Sequence, residues 1–371
     1  MAQSETLVPP YIAAMAPYVT GMSIEEARRR YRLERVVKLA SNENPLGPSP
    51  RAVEAIRASS GVVNRYPDGG LALREKLARR FHVRLENVIA GAGSEGLMAN
   101  IVRTFLCDQD EVLASEGTFP GMRVLAQSRG VRYRTIPMRG WNFDLSALAD
   151  AITPHTKLIY LPNPNNPTGS IFTKSEFDDF YARVPERVLI ILDEAYFEYA
   201  AANPRYPDSM HYRYDNVITL RTFSKAYGLA SLRIGYGFAH QDLIGMLLKV
   251  KLPFEPSGLA SAAGLAALDD REFLERSIEM NKLGMRQMRE GLMALGLKPV
   301  ASEANFVMVP LASAGQVDQL FENLLREGVI VRPLGSFGLP ECVRITIGTP
   351  EENAVCLSAL ERVLKLEAQP V

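Results

Sequence analysis

Between Lys157 and Gly228 the chain reads KLIYLPNPNNPTG (157–169), VLIILDEAY (188–196) and VITLRTFSKAYG (217–228). Each segment is a short run of apolar and β-branched residues that stops abruptly in polar ones. Runs of this length, bounded by turn residues, predict strands buried on both faces, the pattern of a parallel sheet covered by helices. In such sheets ligands bind beyond the carboxyl ends of the strands. The residues just after each run are therefore the first candidates for chemistry.

Working outward, the same texture recurs in VIA (88–90), EVLAS (111–115), VRYRTI (131–136) and IGYGFA (234–239), with helical stretches between. Alternating strand and helix predicts an α/β fold with a mostly parallel sheet and helices on both faces. Beyond residue 239 the pattern turns to long helical segments, SGLASAAGLAALDD and then Arg271 to Gly296, with Gly296 expected to close the helix. ANFVMVP, VDQLFENLLREG, VIVRP, CVRITIG and ENAVCLSALERVLKLE alternate again and predict a smaller α+β lobe. At the other end, SIEEARRRYRL predicts a helix with Ser23 and Glu26 as a capping box. The expected division is an N-terminal arm over 1–45, a large domain over 46–265 and a small C-terminal domain over 266–371.

Composition narrows the classes of function. The 371 residues are 47% hydrophobic and 23% charged, the balance of a globular chain with a sizeable core. Lysine plus arginine and aspartate plus glutamate both total 42, so no global positive field draws in nucleic acid or an anionic membrane, and the expected partner is a small molecule. Three scattered cysteines, no signal-like N-terminus and no apolar run of about eighteen residues predict a cytoplasmic protein without disulfides or membrane spans. The four histidines are isolated, so no metal site is expected.

Four strand ends carry unusual residues. GAGSEG (91–96) matches G-x-G-x-x-G between a strand and a helix, with Glu116 twenty residues beyond Gly96, the layout of a dinucleotide site. The same glycines serve any phosphate held by backbone amides at a helix N-terminus. Asn166 in NPNNPTG presents an amide from a rigid turn, Asp193 emerges from five apolar residues as a carboxylate that needs a cationic partner, and Tyr196 stands three residues on. Lys225 follows Ser224 and precedes Arg233 by eight residues, a cationic, desolvated setting that lowers an amine's pKa. A phosphate cradle, an amide, a buried acid and a lysine together fit pyridoxal 5′-phosphate, whereas a nicotinamide dinucleotide gives Lys225 and Asp193 no role.

These residues, with LASNENPLGPSP (39–50), RYPDGG (65–70), DEAYFEY (193–199), RTFSKAYGLASLRIGY (221–236), EANFVMVP (303–310), GVIVRP and VRITIGTPEEN (343–353), resemble the histidinol-phosphate aminotransferase family of fold-type I pyridoxal-phosphate enzymes. The resemblance implies a seven-stranded sheet and a homodimer with shared sites. It implies that Lys225 forms the imine with the cofactor, that Asp193 pairs with the pyridinium, that Asn166 and Tyr196 hold the ring oxygen and that Phe119 stacks on the ring. Gly93, Ser94, the Glu95 amide, Ser224 and Arg233 would bind the phosphate, with Tyr66 reaching it from the partner subunit. Arg344 would clamp the substrate carboxylate, and Arg332 and Tyr18 would contact a distal anion.

Two positions depart from the family's pattern: Ser231 replaces a glycine, and LPFEPSGLA (252–260) places Glu255 where many members have an uncharged segment. The resemblance implies transamination of histidinol phosphate with 2-oxoglutarate in histidine biosynthesis. An aromatic or other amino-acid aminotransferase is the alternative within the same class. A ligand-sensing regulator would need a basic DNA-binding module, which the chain does not carry, and a decarboxylase on this fold would release carbon dioxide.

Overall fold

The structure is a computed structural model that describes residues 7–16, 21–211 and 215–367. Its strands in chain order are β1 (Val37–Lys38), β2 (Val88–Gly91), β3 (Glu111–Ser115), β4 (Arg132–Ile136), β5 (Thr156–Pro162), β6 (Leu189–Asp193), β7 (Val217–Thr222), β8 (Gly235–Phe238), β9 (Phe306–Pro310), β10 (Val329–Ile330), β11 (Arg332–Pro333) and β12 (Cys342–Thr346). Seven of them form one sheet in the order β2-β8-β7-β6-β5-β3-β4. The contacts of β3, β4, β5, β6 and β7 are parallel, and β8 runs antiparallel to both of its neighbours.

Apolar runs without polar alternation are what a two-sided sheet requires. Leu158, Tyr160, Ile191, Ile218 and Leu220 face one core with Leu97, Ile101, Ile244 and Leu247 from helices. Their alternate neighbours Ile159, Leu161, Ile190, Leu192 and Val217 face another with Phe177 and Phe180. At the β2 and β8 edge, Val88, Ala90, Tyr236 and Phe238 pack with Leu73, Leu77, Ala263 and Ala267.

The small lobe is the antiparallel sheet β11-β12-β9 backed by helices Ala314–Arg326 and Pro350–Glu367. The 24-residue helix Arg271–Ala294, capped by Asp270, presents Phe273, Ser277, Asn281, Gly284, Met288 and Leu292 as one buried stripe, and Met288 and Leu292 join the small-lobe core. Gly296, at φ +79°, follows its end as the sequence predicts. The N-terminal segment is tied to the same lobe, because β1 pairs in parallel with β10 and Val37 and Leu39 enter its core.

One local expectation is corrected. Ser23 caps the helix Ile24–Tyr31 by accepting from the Glu26 amide at 3.0 Å, but the Glu26 side chain makes no return bond. The reciprocal box forms instead at Thr173 and Glu176. Among the described residues no helix is long and apolar enough to cross a membrane.

If the arm is structurally part of the small lobe, cutting back its buried leucine should destabilise that lobe. Leu39, 2% exposed within the core, is predicted to cost about 2–4 kcal/mol as Leu39→Ala. A fall in the urea midpoint with an unchanged slope checks it, and an unchanged midpoint would detach the arm from the core.

Candidate active site

The register of the sheet brings the strand ends level. Pro162 stands beside Asp193, Asp193 beside Leu220, and Gly235 beside both Thr222 and Gly91. A cavity of about 130 Å³ opens there, and its lining includes Ser94, Glu95, Phe119, Asn166, Asp193, Tyr196, Ser224, Lys225 and Arg233. Residues widely separated in sequence, and predicted separately from it, meet in this one space. Larger hollows of about 720 Å³ beside Arg139 and Arg183 and about 550 Å³ beside His82 and His240 gather no comparable set of strand ends.

Asp193 is the last residue of β6 and is buried. It caps no helix, since the next one starts at Phe197 with Tyr196 in the cap position. Its Oδ2 accepts from the Tyr160 hydroxyl at 2.7 Å, while Oδ1 is buried without a hydrogen-bond partner. Burial pushes its pKa up to about 6, against the opposing pull of the Tyr160 hydroxyl and the nearby Ala195 amide. A carboxylate held this way suits a ligand that brings an N–H to the vacant oxygen.

Lys225 donates from Nζ to the Ser41 carbonyl at 3.3 Å and lies 5.8 Å from the centre of the Tyr196 ring. Burial first, then the guanidiniums of Arg344 and Arg233, bring its pKa down to about 8. The lysine is therefore partly neutral near pH 7–8 and able to act as a nucleophile and proton carrier.

Across the cavity Gly93, at φ +81°, opens the helix Gly93–Phe105, whose first amides are left for a ligand. Backbones pack closely here: a Cβ on Gly235 would lie 2.5 Å from the Ser94 nitrogen, and one on Gly93 3.1 Å from Arg233 Nη2. Arg233 Nη2 stands 3.7 Å from Glu95. Thr222 Oγ1 donates to Ser224 Oγ at 3.0 Å and accepts from the Ser224 amide at 3.1 Å, fixing the hydroxyl pair. Helix amides, hydroxyls and a guanidinium in one corner are what a phosphate needs.

Toward the small lobe, Arg344 on β12 donates to Asn166 Oδ1 and, at 2.7 Å, to the Ala40 carbonyl. Its guanidinium lies 5.2 Å from the Phe306 ring and 5.6 Å from the Phe337 ring. Arg332 is its cross-strand partner on β11. Tyr196 accepts at Oη from Asn42 Nδ2 at 2.8 Å and meets Phe306 edge-on.

Some expected residues do not join this cavity. Tyr66 is 81% exposed and stacks on Phe254 at 4.3 Å, outside the cavity of its own chain. Arg332 does not line the cavity, and Tyr18 lies outside the described residues. The loop carrying Glu255 packs on 66–70 of its own chain: Pro256 abuts Gly70, and Lys251 donates to the carbonyls of Gly69 and Glu255. Glu116 is exposed and does not line the cavity, which leaves the dinucleotide layout without its acid.

Sequence reasoning missed Tyr160, Thr222 and Asn42. Thr222 ends β7 as Asp193 ends β6, so a strand-end search could have found it. Tyr160 sits inside an apolar run and Asn42 in an arm, with no local signal of their partners.

Comparison with known proteins gives a consistent result. The family model of class I and II aminotransferases matches residues 34–360. The chain is 44% identical over 357 residues to a histidinol-phosphate aminotransferase of Nitrosococcus oceani, covering 95% of this chain and 96% of that protein. Against one of Ralstonia nicotianae it is 45% identical over 364 residues, 96% of each. The solved structure of histidinol-phosphate aminotransferase from Sinorhizobium meliloti in complex with pyridoxal 5′-phosphate superposes with a TM-score of 0.90 at 30% identity, covering 97% of this chain and 98% of that one.

The buried acid yields a pH prediction. The folded pKa of Asp193, about 6, lies above the ordinary value of 3.8, so the native state binds the proton more tightly and the ionised acid opposes folding above pH 6. In the cofactor-free protein Asp193→Asn should therefore gain stability, by about 2–3 kcal/mol at pH 8, with the gain shrinking as pH falls through 6. Chemical denaturation across pH 5–8 checks this; a gain independent of pH would contradict it.

Proposed function

This chain belongs to the class I and II aminotransferases, and on that premise we propose that it transfers the amino group of L-histidinol phosphate to 2-oxoglutarate in histidine biosynthesis, using pyridoxal 5′-phosphate. One observation carries the cofactor reading: the buried, half-partnered carboxylate of Asp193 and the amine of Lys225 line the same cavity as the open N-terminus of Gly93–Phe105. The substrate reading rests on relatives of that name at 44–45% identity over nearly the full chain.

When bound, pyridoxal 5′-phosphate supplies an aldehyde that condenses with amines and a protonated ring that accepts electrons. Asp193 Oδ1 would hold the proton on the ring nitrogen, and Tyr160 keeps that carboxylate in place from the other oxygen. Asn166 and Tyr196 would bind the ring oxygen, and Phe119 would cover the ring face. Gly93, Ser94, the Glu95 amide, Ser224 and Arg233 would hold the phosphate. Lys225 would anchor the cofactor aldehyde through Nζ, and the same nitrogen, when free, would take the proton from the substrate Cα and deliver it to the cofactor carbon that carried the aldehyde. A pKa of about 8 lets the same nitrogen do both near neutrality.

Both substrates bring anions. Arg344 binds the α-carboxylate of the oxo acid as a planar fork. L-Histidinol phosphate has no carboxylate, so its phosphate falls to the arginine pair across β11 and β12, Arg332 and Arg344, with Tyr18 joining from the arm. Cysteines that are all free fit a reducing cytoplasm.

The reading includes a homodimer. Tyr66 and Phe254, stacked on each other, are exposed, as are Val62, Val63 and Leu252, and Tyr66 would serve the partner's cofactor phosphate from this surface. Inactive Lys225→Ala subunits mixed with Tyr66→Phe subunits should then regenerate wholly native sites in heterodimers. Recovered turnover in isolated mixed dimers is the expected result; none would place Tyr66 outside the site.

The substrate is tested by single-turnover spectra with a panel of amino donors. Wild type should convert histidinol phosphate faster than phenylalanine, and the reverse order would favour the aromatic alternative. Arg332→Met should lose about 1.5–3 kcal/mol, roughly ten- to a hundredfold in kcat/KM, with histidinol phosphate and 2-oxoglutarate. Phenylalanine has no distal anion and should lose little. An equal loss for all three would assign Arg332 to the fold.

A further inference from the structure

A buried hydrogen-bonded chain reaches the cavity from the arm. Asn42 sits at φ +55°, a left-handed conformation that asparagine tolerates better than most residues. Its backbone amide donates to Thr346 Oγ1 at 3.0 Å, and the Thr346 hydroxyl donates to Asn42 Oδ1, also at 3.0 Å. Its carbonyl accepts from Asn305 Nδ2 at 3.1 Å. With Oδ1 engaged by Thr346, the Nδ2 end faces Tyr196 and donates to Oη at 2.8 Å. A phenol has one hydrogen to give and two lone pairs to receive. Because Asn42 occupies a lone pair, the single hydrogen of Tyr196 is not spent on the arm and remains for whatever lies in the cavity.

We propose that Asn42 is a positioning residue: by donating to Tyr196 Oη, from a side chain oriented by Thr346, it commits the phenol hydrogen to the ring oxygen of the cofactor. The inference rests on the reading above that Tyr196 faces that oxygen. A hydrogen given to the ring oxygen stabilises it as an anion and weakens its hold on the proton carried by the Lys225 nitrogen. Loss of the donor should therefore raise the pH at which that proton leaves. The charged groups around the cavity are Asp193, Glu95, Lys225, Arg233 and Arg344, with Glu43 beyond, and the variants below leave all of them in place.

The measurement is the pH midpoint of the cofactor's visible absorption in the holoenzyme, with no substrate present. Tyr196→Phe should raise the midpoint by about one unit, and Asn42→Gly, which keeps the left-handed backbone, by about half a unit. Thr346→Val, similar in shape, should shift it in the same direction by less, and stands in for Asn42→Gly if that variant does not fold. Combined with Tyr196→Phe, neither should add a further shift, because each acts only through the phenol. The same shift with and without the Tyr196 hydroxyl would overturn the proposal. So would an unmoved midpoint in Asn42→Gly alongside a shifted Tyr196→Phe, which would leave the placement of Tyr196 standing. An unmoved midpoint in Tyr196→Phe itself would remove both.

Discussion

Two adjacent acids at the end of β6 meet opposite fates, and the site depends on the difference. Glu194 turns away from the cavity and is paired with Arg221, which also binds Asp208 at 2.8 Å and stacks over Phe197. Asp193 turns into the cavity with one oxygen on the Tyr160 hydroxyl, the Ala195 amide nearby and the other oxygen unbonded. Removing a carboxylate from water costs several kcal/mol unless it is fully partnered. The strand is kept in place by its apolar neighbours and by the ion cluster around Arg221, so it can hold one acid in a condition that acid would not choose. The deficit is local, and it is aimed at a ligand.

Lys225 is the complementary case. Three cations, Lys225, Arg233 and Arg344, influence one another within a small space, against the carboxylates of Asp193, of Glu95 beside Arg233 and of the more distant Glu43. Such a site favours anions: each one bound by a guanidinium relieves part of the repulsion felt by the lysine. The arrangement of charge thus selects ligands bearing phosphate or carboxylate before any shape is consulted.

Much of this was legible in the sequence for a plain physical reason. A sheet covered on both faces makes its strands apolar throughout, so a polar residue at the end of such a run, like Asp193, is conspicuous, and a lysine just beyond one, like Lys225, is nearly so. Tyr160 was hidden because a tyrosine inside an apolar run reads as core, and its partner lies on the neighbouring strand. Asn42 was hidden because its partner Thr346 is 304 residues away. The capping box at Ser23 shows the limit of local rules: the pattern was present, and only one of its two bonds formed.

The arm's long reach has a consequence for how the protein is made. β1 pairs with β10, Ala40 accepts from Arg344, and Asn42 bonds Thr346, the last two across 304 residues. Translation at about 5–20 residues per second means that the arm leaves the ribosome about 15–60 s before those partners exist. Within that interval the large sheet can form, once β8 has been made, yet the arm still has neither its strand partner nor its core. The arm is made long before it is fixed, and the catalytic pocket closes only once the strand carrying Arg344 and Thr346 has followed it.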